Sequence, residues 1–177
     1  MQKKRYFLVV DDDVDVRESI VDSLPDLSAY NVEVIQAVNG VDGLTKVDQY
    51  EPIAILSDIS MPQMNGLNFL REIRTRGFET PFVVLSAYFD TANTIQALRL
   101  GAFDFLSKPF NPATLHEKIL PLIQYSSSVR DVEDRVHEWM SATDQPLTDV
   151  QTKEIMKARE ALTAMRYKIW SHAGKAS

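Results

Sequence analysis

Three apolar runs, Tyr6–Val10, Ile53–Leu56 and Phe82–Leu85, each stop at a polar or acidic boundary and are each followed by apolar residues at helical spacing. A run with no alternation and four or five residues long fits a strand buried on both faces, as in a parallel sheet covered by helices on either side. Pro52 and Pro62 bracket the middle run, which ends at Asp58 and passes into a turn. Two weaker strands complete the set. Val32–Ala37 alternates as a half-exposed edge strand does, and Phe103–Leu106 is the last, short one.

The helices between them have legible limits. Ile20, Val21 and Leu24 share a face that Pro25 closes, and Asn39-Gly40 turns into a helix over Val41–Tyr50. Leu67, Leu70 and Ile73 mark a third helix ending near Gly77. Asp90 is the predicted N-cap of a fourth, which carries Ile95 and Leu98 and stops at Gly101. Asn111-Pro112 opens a fifth as N-cap and first turn. Strands alternating with helices require right-handed crossovers and a parallel sheet. The predicted fold through residue 125 is therefore α/β, a flavodoxin-like doubly wound five-stranded sheet of order 2-1-3-4-5. Ligands bind such sheets at the carboxyl ends of the strands, and here the switch point falls between strands one and three. That order brings Asp11 and Asp12 beside Asp58.

Composition narrows the setting. The chain has 177 residues, enough for one typical domain and an appendage, and its lack of cysteine excludes disulfides and thiolate metal sites. No apolar run reaches membrane-spanning length, and Met1–Arg5 leads into a strand, so a cytoplasmic protein is expected. The net charge of -6 is uneven: 11 basic against 17 acidic residues in 1–125, 2 against 6 in 126–149, and 6 against 2 in 150–177.

Three consecutive aspartates alone are most simply a solvated turn. Joined by Asp58 in one crevice they repel, and a bound cation or a raised pKa relieves that repulsion. With only oxygen donors and room for water, Mg²⁺ suits the set better than Ca²⁺. A carboxylate beside Mg²⁺ can attack a phosphoryl group, which makes Asp58 the candidate nucleophile. Ser86 at the end of strand four and Lys108 after strand five offer a hydroxyl and a compact positive charge for phosphoryl oxygens.

These pieces together resemble the receiver domain of bacterial two-component response regulators. The matching stretches are Phe7–Asp12, Asp58–Gly66 (Asp-Ile-Ser-Met-Pro-Gln-Met-Asn-Gly), Val84–Ala87 and Gly101–Phe110, spread over residues 6 to about 125. The resemblance implies that Asp58 accepts a phosphoryl group from a histidine kinase or phosphotransfer protein. It implies that Asp12, Asp58 and the Ser60 carbonyl hold Mg²⁺, with Asp11 assisting through water, and that Lys108-Pro109 is cis. It also implies a switch in which Ser86 and Lys108 move toward the new charge and Phe105 turns inward, changing contacts with a downstream partner. On this reading the chain is not an enzyme beyond gaining and losing its own phosphoryl group, and Ser60 and Tyr88 tune the loss. Asp13 has no assigned role.

A phosphatase of the haloacid dehalogenase type is the rival, with Asp11 as nucleophile in Asp11-Asp12-Asp13-Val14-Asp15. Asp15 stands where that motif has Thr or Val, and no acidic pair follows Lys108.

Beyond residue 125, Ser126–Ser128 reads as a joint and Pro121 as a kink, although Leu122, Val129, Val132, Val136 and Trp139 could carry the preceding helix through. Ser141–Leu147 is a polar loop. Thr148 and Gln151 form a capping box that opens a helix with Ile155, Ala158, Leu162, Met165 and Ile169 on one narrow seam. The expectation is a helical hairpin over 126–177, packed on the receiver or forming a homodimer. Nucleic-acid binding through its basic residues lacks a helix-turn-helix pattern. His137-Glu138 resembles the phosphoacceptor helix of histidine kinases but lacks the proline that follows there, and His116 and His172 carry no motif.

Overall fold

The computed structural model describes residues 4–87, 91–142 and 146–173. Five strands, β1 (Arg5–Val10), β2 (Val32–Ala37), β3 (Ala54–Asp58), β4 (Phe82–Ala87) and β5 (Asp104–Lys108), form one parallel sheet of order β2-β1-β3-β4-β5. Between and after them run α1 (Val14–Asp22), α2 (Gly40–Tyr50), α3 (Gly66–Thr75), α4 (Thr91–Arg99), α5 (Pro112–Ala142) and α6 (Asp149–Ala173), with a 3₁₀ turn at Ser28–Tyr30. The α/β class, the flavodoxin-like order and the helices after the sheet are as the sequence predicts.

The two faces of the sheet follow from the two-residue period of a strand. Leu8, Val10, Ile55 and Val84 face one core with Leu44, Val47, Phe69, Leu70 and Ile73 from α2 and α3. Phe7, Val9, Leu56, Val83 and Leu85 face the other with Ile20, Leu115, Ile119 and Leu122 from α1 and α5. All five residues of β3 are buried, as the uninterrupted apolar run requires, whereas β2 at the edge is mostly half-exposed.

Asparagines and aspartates set the helix starts. Asn39 caps α2 and Asn65 caps α3, each accepting main-chain N–H bonds of the first turn, and Asn111 accepts from Thr114 at 2.9 Å. Asp13 caps α1 by accepting from Asp15 and Val16 at 2.9 and 3.3 Å. Gly77 and Gly101 follow α3 and α4 with φ of 83° and 86°, where only glycine is unstrained. Asp90 lies outside the described residues.

Several boundaries differ from expectation: β1 begins at Arg5, and α1 ends at Asp22 with Ser23 as its C-cap, short of Leu24 and Pro25. Strand β5 begins one residue later and runs to Lys108: the Phe103 N–H bonds across to Phe82 O at 2.7 Å, and the ladder pairing runs from Val83↔Asp104 to Ala87↔Lys108. Ser126–Ser128 is helix and not a joint: α5 passes through Pro121 and the serines, and Ser128 Oγ donates back to Gln124 O at 2.9 Å. Ser141 and Ala142 likewise form the end of α5 where a polar loop was expected.

The chain divides into two compact units, Met1–Ile123 and Gln124–Ser177. In the second, Arg135 of α5 and Glu154 of α6 pair at 2.9 Å, joining the two helices. The Thr148–Gln151 capping box is formed: the Thr148 N–H donates to Gln151 Oε1 at 2.9 Å and the Gln151 N–H to Thr148 Oγ1 at 3.3 Å. No described helix is long and apolar enough to cross a membrane.

Candidate functional site

Strand register alone puts four functional groups at adjacent strand ends. Val10 pairs with Ser57, Asp58 with Leu85, and Ala87 with Lys108, so Asp11, Asp58, Ser86 and Lys108 all emerge at the carboxyl edge of the sheet. The side chains then converge further. Lys108 Nζ stands 2.7 Å from Asp11 Oδ2 and 2.6 Å from Asp58 Oδ1, so one ammonium joins strands β1, β3 and β5.

Each carboxylate is held by the main chain as well. Asp58 Oδ2 accepts the Ser60 N–H at 2.7 Å, and Asp11 Oδ1 accepts the Asp13 N–H at 3.0 Å. Gly66 allows the loop after β3 to close. Its N–H donates to Ile59 O at 2.9 Å, and a Cβ at this position would overlap the main-chain oxygen of Asp58. The Lys108-Pro109 bond is cis.

The electrostatics follow from enclosure. Burial raises the Asp58 pKa from its ordinary value, an effect that the hydrogen bond and charge of Lys108 offset only in part and that Asp11 reinforces. Burial pulls the other way on Lys108, but its bonds to Asp11 and Asp58 outweigh that and hold it above the usual lysine value. The ammonium is therefore charged, and Asp58 is a carboxylate whose negative charge is costly unless a cation stands beside it.

That arrangement fits a hard cation. Asp11 and Asp58 already present oxygens to one shared positive group. Asp12 is exposed on the loop after Asp11. Among the described residues no three acidic, histidine or cysteine side chains are grouped to hold a metal by themselves. A cation here would complete its shell from main-chain oxygen and water, the habit of Mg²⁺.

The remaining predicted residues lie close by but are otherwise engaged. Ser86 is buried, donates to Ala87 O and accepts from Thr94 Oγ1 of α4, both at 3.3 Å, and none of its hydrogen bonds reaches Asp58 or Lys108. Phe105 is 36% exposed, so its ring is on the outside of the sheet edge. Lys118 of α5 holds it there, with Nζ 5.5 Å from the ring centroid and 2.7 Å from Asp104 Oδ2. Ser60 is exposed beside Asp58, and Tyr88 lies outside the described residues.

Sequence reasoning passed over Arg17. Its guanidinium is buried, donates to Asp11 O at 2.7 Å and to Gln36 Oε1 at 3.3 Å, and so fixes the end of β1 from α1. A lone arginine on a short helix gives no local sign of this; its position one helical turn after an acidic loop is the only hint. Thr94, Asp104 and Lys118 were missed for the same reason, since each acts through a partner distant in sequence. His116 is structural, its Nε2 2.7 Å from Ser23 O.

The phosphatase alternative requires Asp11 to be the reacting carboxylate. Its side chain is 2% exposed against 9% for Asp58, and both carboxylates are held alike by a main-chain N–H and by Lys108, so the two differ in access alone.

Comparison with known proteins agrees with this geometry. The family model described as response regulator receiver domain matches residues 7–120. The Regulator of RpoS from Escherichia coli K12 is 34% identical over 146 residues, which are 80% of this chain and 42% of that protein, so the chain spans less than half of that relative. Response regulator MprA of Mycobacterium avium is 31% identical over 159 residues, covering 90% of this chain and 67% of MprA. Among solved structures, the chemotaxis response regulator CheY4 of Vibrio cholerae superposes with a TM-score of 0.59 at 28% identity, covering 68% of this chain and 99% of CheY4.

Proposed function

The chain belongs to the response regulator receiver family of two-component signalling, and from that premise we propose that Asp58 takes a phosphoryl group from a histidine kinase or phosphotransfer protein. The observation that carries the reading is Lys108 Nζ bridging Asp58 and Asp11 across three strand ends. In the transfer, an Asp58 carboxylate oxygen forms a bond to phosphorus as the P–N bond to the donor imidazole breaks. Lys108 then meets a phosphoryl oxygen in place of a bare carboxylate. Asp12, Asp58 and the Ser60 carbonyl would hold Mg²⁺, with Asp11 assisting through water, and the ion would offset charge on the transferring group.

The consequence is a switch in residues 1–125. A phosphoryl group adds between one and two units of negative charge to a site already costly to charge, and it brings strong acceptor oxygens. Ser86 gains a partner there that competes with its weak 3.3 Å bonds to Thr94 and Ala87, so α4 loses a tie to β4. Phe105 leaves its place under Lys118 and turns inward, remodelling the outer surface of β4 and β5 that a downstream protein reads. The helical segment 126–177 is the output extension.

The test is labelling with a small phosphodonor in Mg²⁺, followed by mapping of the labelled residue. Asp58→Asn should lose the label while keeping the native circular dichroism and unfolding midpoint, and chelation of Mg²⁺ should suppress labelling of the unmodified chain. Label retained by Asp58→Asn, or found on Asp11, defeats the proposal.

A further inference from the structure

The Arg135–Glu154 pair fixes the register of two antiparallel helices that rise equally per residue. Counting outward from it brings Trp139 within two residues of level with Gln151, and likewise Val136 with Ile155, Val132 with Ala158, Val129 with Leu162 and Tyr125 with Met165. On both helices these positions recur at alternating steps of three and four, the repeat of a coiled-coil seam. Every one of them, and Ile169 beyond, is half-buried; none is enclosed. Two helices cover a shared seam from one side each, so the apolar stripe remains open above and below it. Met140, Val150 and Met156 add exposures of 64%, 74% and 59% around the same hairpin.

Charge says what should cover it. The α5 portion, 124–142, carries Asp131, Glu133, Asp134 and Glu138 against Arg130 and Arg135, while α6 carries Lys153, Lys157, Arg159, Arg166 and Lys168 against Asp149, Glu154 and Glu160. The hairpin is thus one acidic helix beside one basic helix. Its own bridge uses the minority charges, a basic residue of α5 and an acidic one of α6. Glu138, Lys153, Lys157 and Arg159 are exposed and form no ion pair among the described residues. A surface that is acidic on one half and basic on the other is self-complementary under a two-fold axis.

We propose that this hairpin closes on a second copy of the chain, giving a four-helix bundle in which α5 of each copy lies beside α6 of the other. This arrangement sets acid against base at every helix contact. Pairing α5 with α5 would set acid against acid.

The test is sedimentation equilibrium on the full chain without phosphodonor or Mg²⁺, so its outcome is independent of chemistry at Asp58. The expected species is a dimer whose dissociation constant rises about tenfold from low salt to ~0.5 M NaCl, as solvent-exposed pairs are screened. The triple variant Lys153→Glu, Lys157→Glu, Arg159→Glu should be a monomer with unchanged helical circular dichroism. Mixing it with the Glu133→Lys, Glu138→Lys variant should restore a 1:1 dimer. A monomeric unmodified chain at both salts would overturn the proposal, as would a triple variant that dimerises undiminished. The first of these results would leave the seam to the hairpin alone or to a different protein.

Discussion

Phe7, Phe69 and Phe82 in the first unit have no solvent exposure, whereas no seam residue of the second, from Val129 to Ile169, is buried. The first unit completes its core from its own strands and helices, and that rigidity lets it hold three charged side chains within 2.7 Å at a strand edge. The second has a regular pattern and little enclosure. A completed core fixes groups that do chemistry. An open seam waits for something to pack against, which suits a segment whose work is contact.

Substitutions can break or sharpen this contrast, and the largest effect belongs to the sheet. Phe69 packs edge-to-face on Phe82 at 5.5 Å, and its ring fills the space beside Gly43. Phe69→Ala should cost about 3–5 kcal/mol, read as a lower urea midpoint with the slope unchanged. A loss below about 1 kcal/mol would mean that this core is no better packed than the hairpin.

The next effect lies at the site. Arg17→Gln removes a buried charged donor from Asp11 O and should destabilise the first unit by about 1.5–3 kcal/mol. It should also slow labelling of Asp58, because the end of β1 that carries Asp11 loses its anchor. Full stability in this variant would reduce Arg17 to a solvated surface residue and weaken the claim that the first unit is over-determined around its charges.

What could be read from the sequence follows the same division. Strand runs such as Ile53–Leu56 are local signals, so the sheet, its order and the shared edge of Asp11, Asp58, Ser86 and Lys108 were legible. Arg17, Thr94 and Lys118 were not, because a polar residue reveals its burial only once a distant strand is in place. The serines at 126–128 misled for a different reason. Their weak local preference for helix is overridden in α5, where Ser126 and Ser127 are each 4% exposed and the helix continues on both sides. The seam on α6 was legible as a period, but a period does not say how far it is enclosed.

Leu162 tests that enclosure. It is half-buried on the seam, so Leu162→Ala at a dilution where the chain is monomeric should cost roughly 1–2 kcal/mol, well below the Phe69 value. At high concentration the cost should grow, because the same side chain then faces a second hairpin and its loss is linked to association. A cost independent of concentration would argue that the hairpin is complete as it stands.

The smallest effect separates the two units most cleanly. Thr148→Ala removes the hydroxyl that accepts the Gln151 N–H at 3.3 Å and donates to Gln151 Oε1 at 2.9 Å, undoing the capping box at the start of α6. The site is exposed, so the loss should be about 0.5–1 kcal/mol. It should appear as faster amide hydrogen exchange over the first turns of α6, with the strands of the sheet unchanged. The two regions then report separate stabilities, as they must if the sheet is complete without the extension. Acceleration spreading to β1 and β3 would mean instead that the helices and the sheet unfold as one.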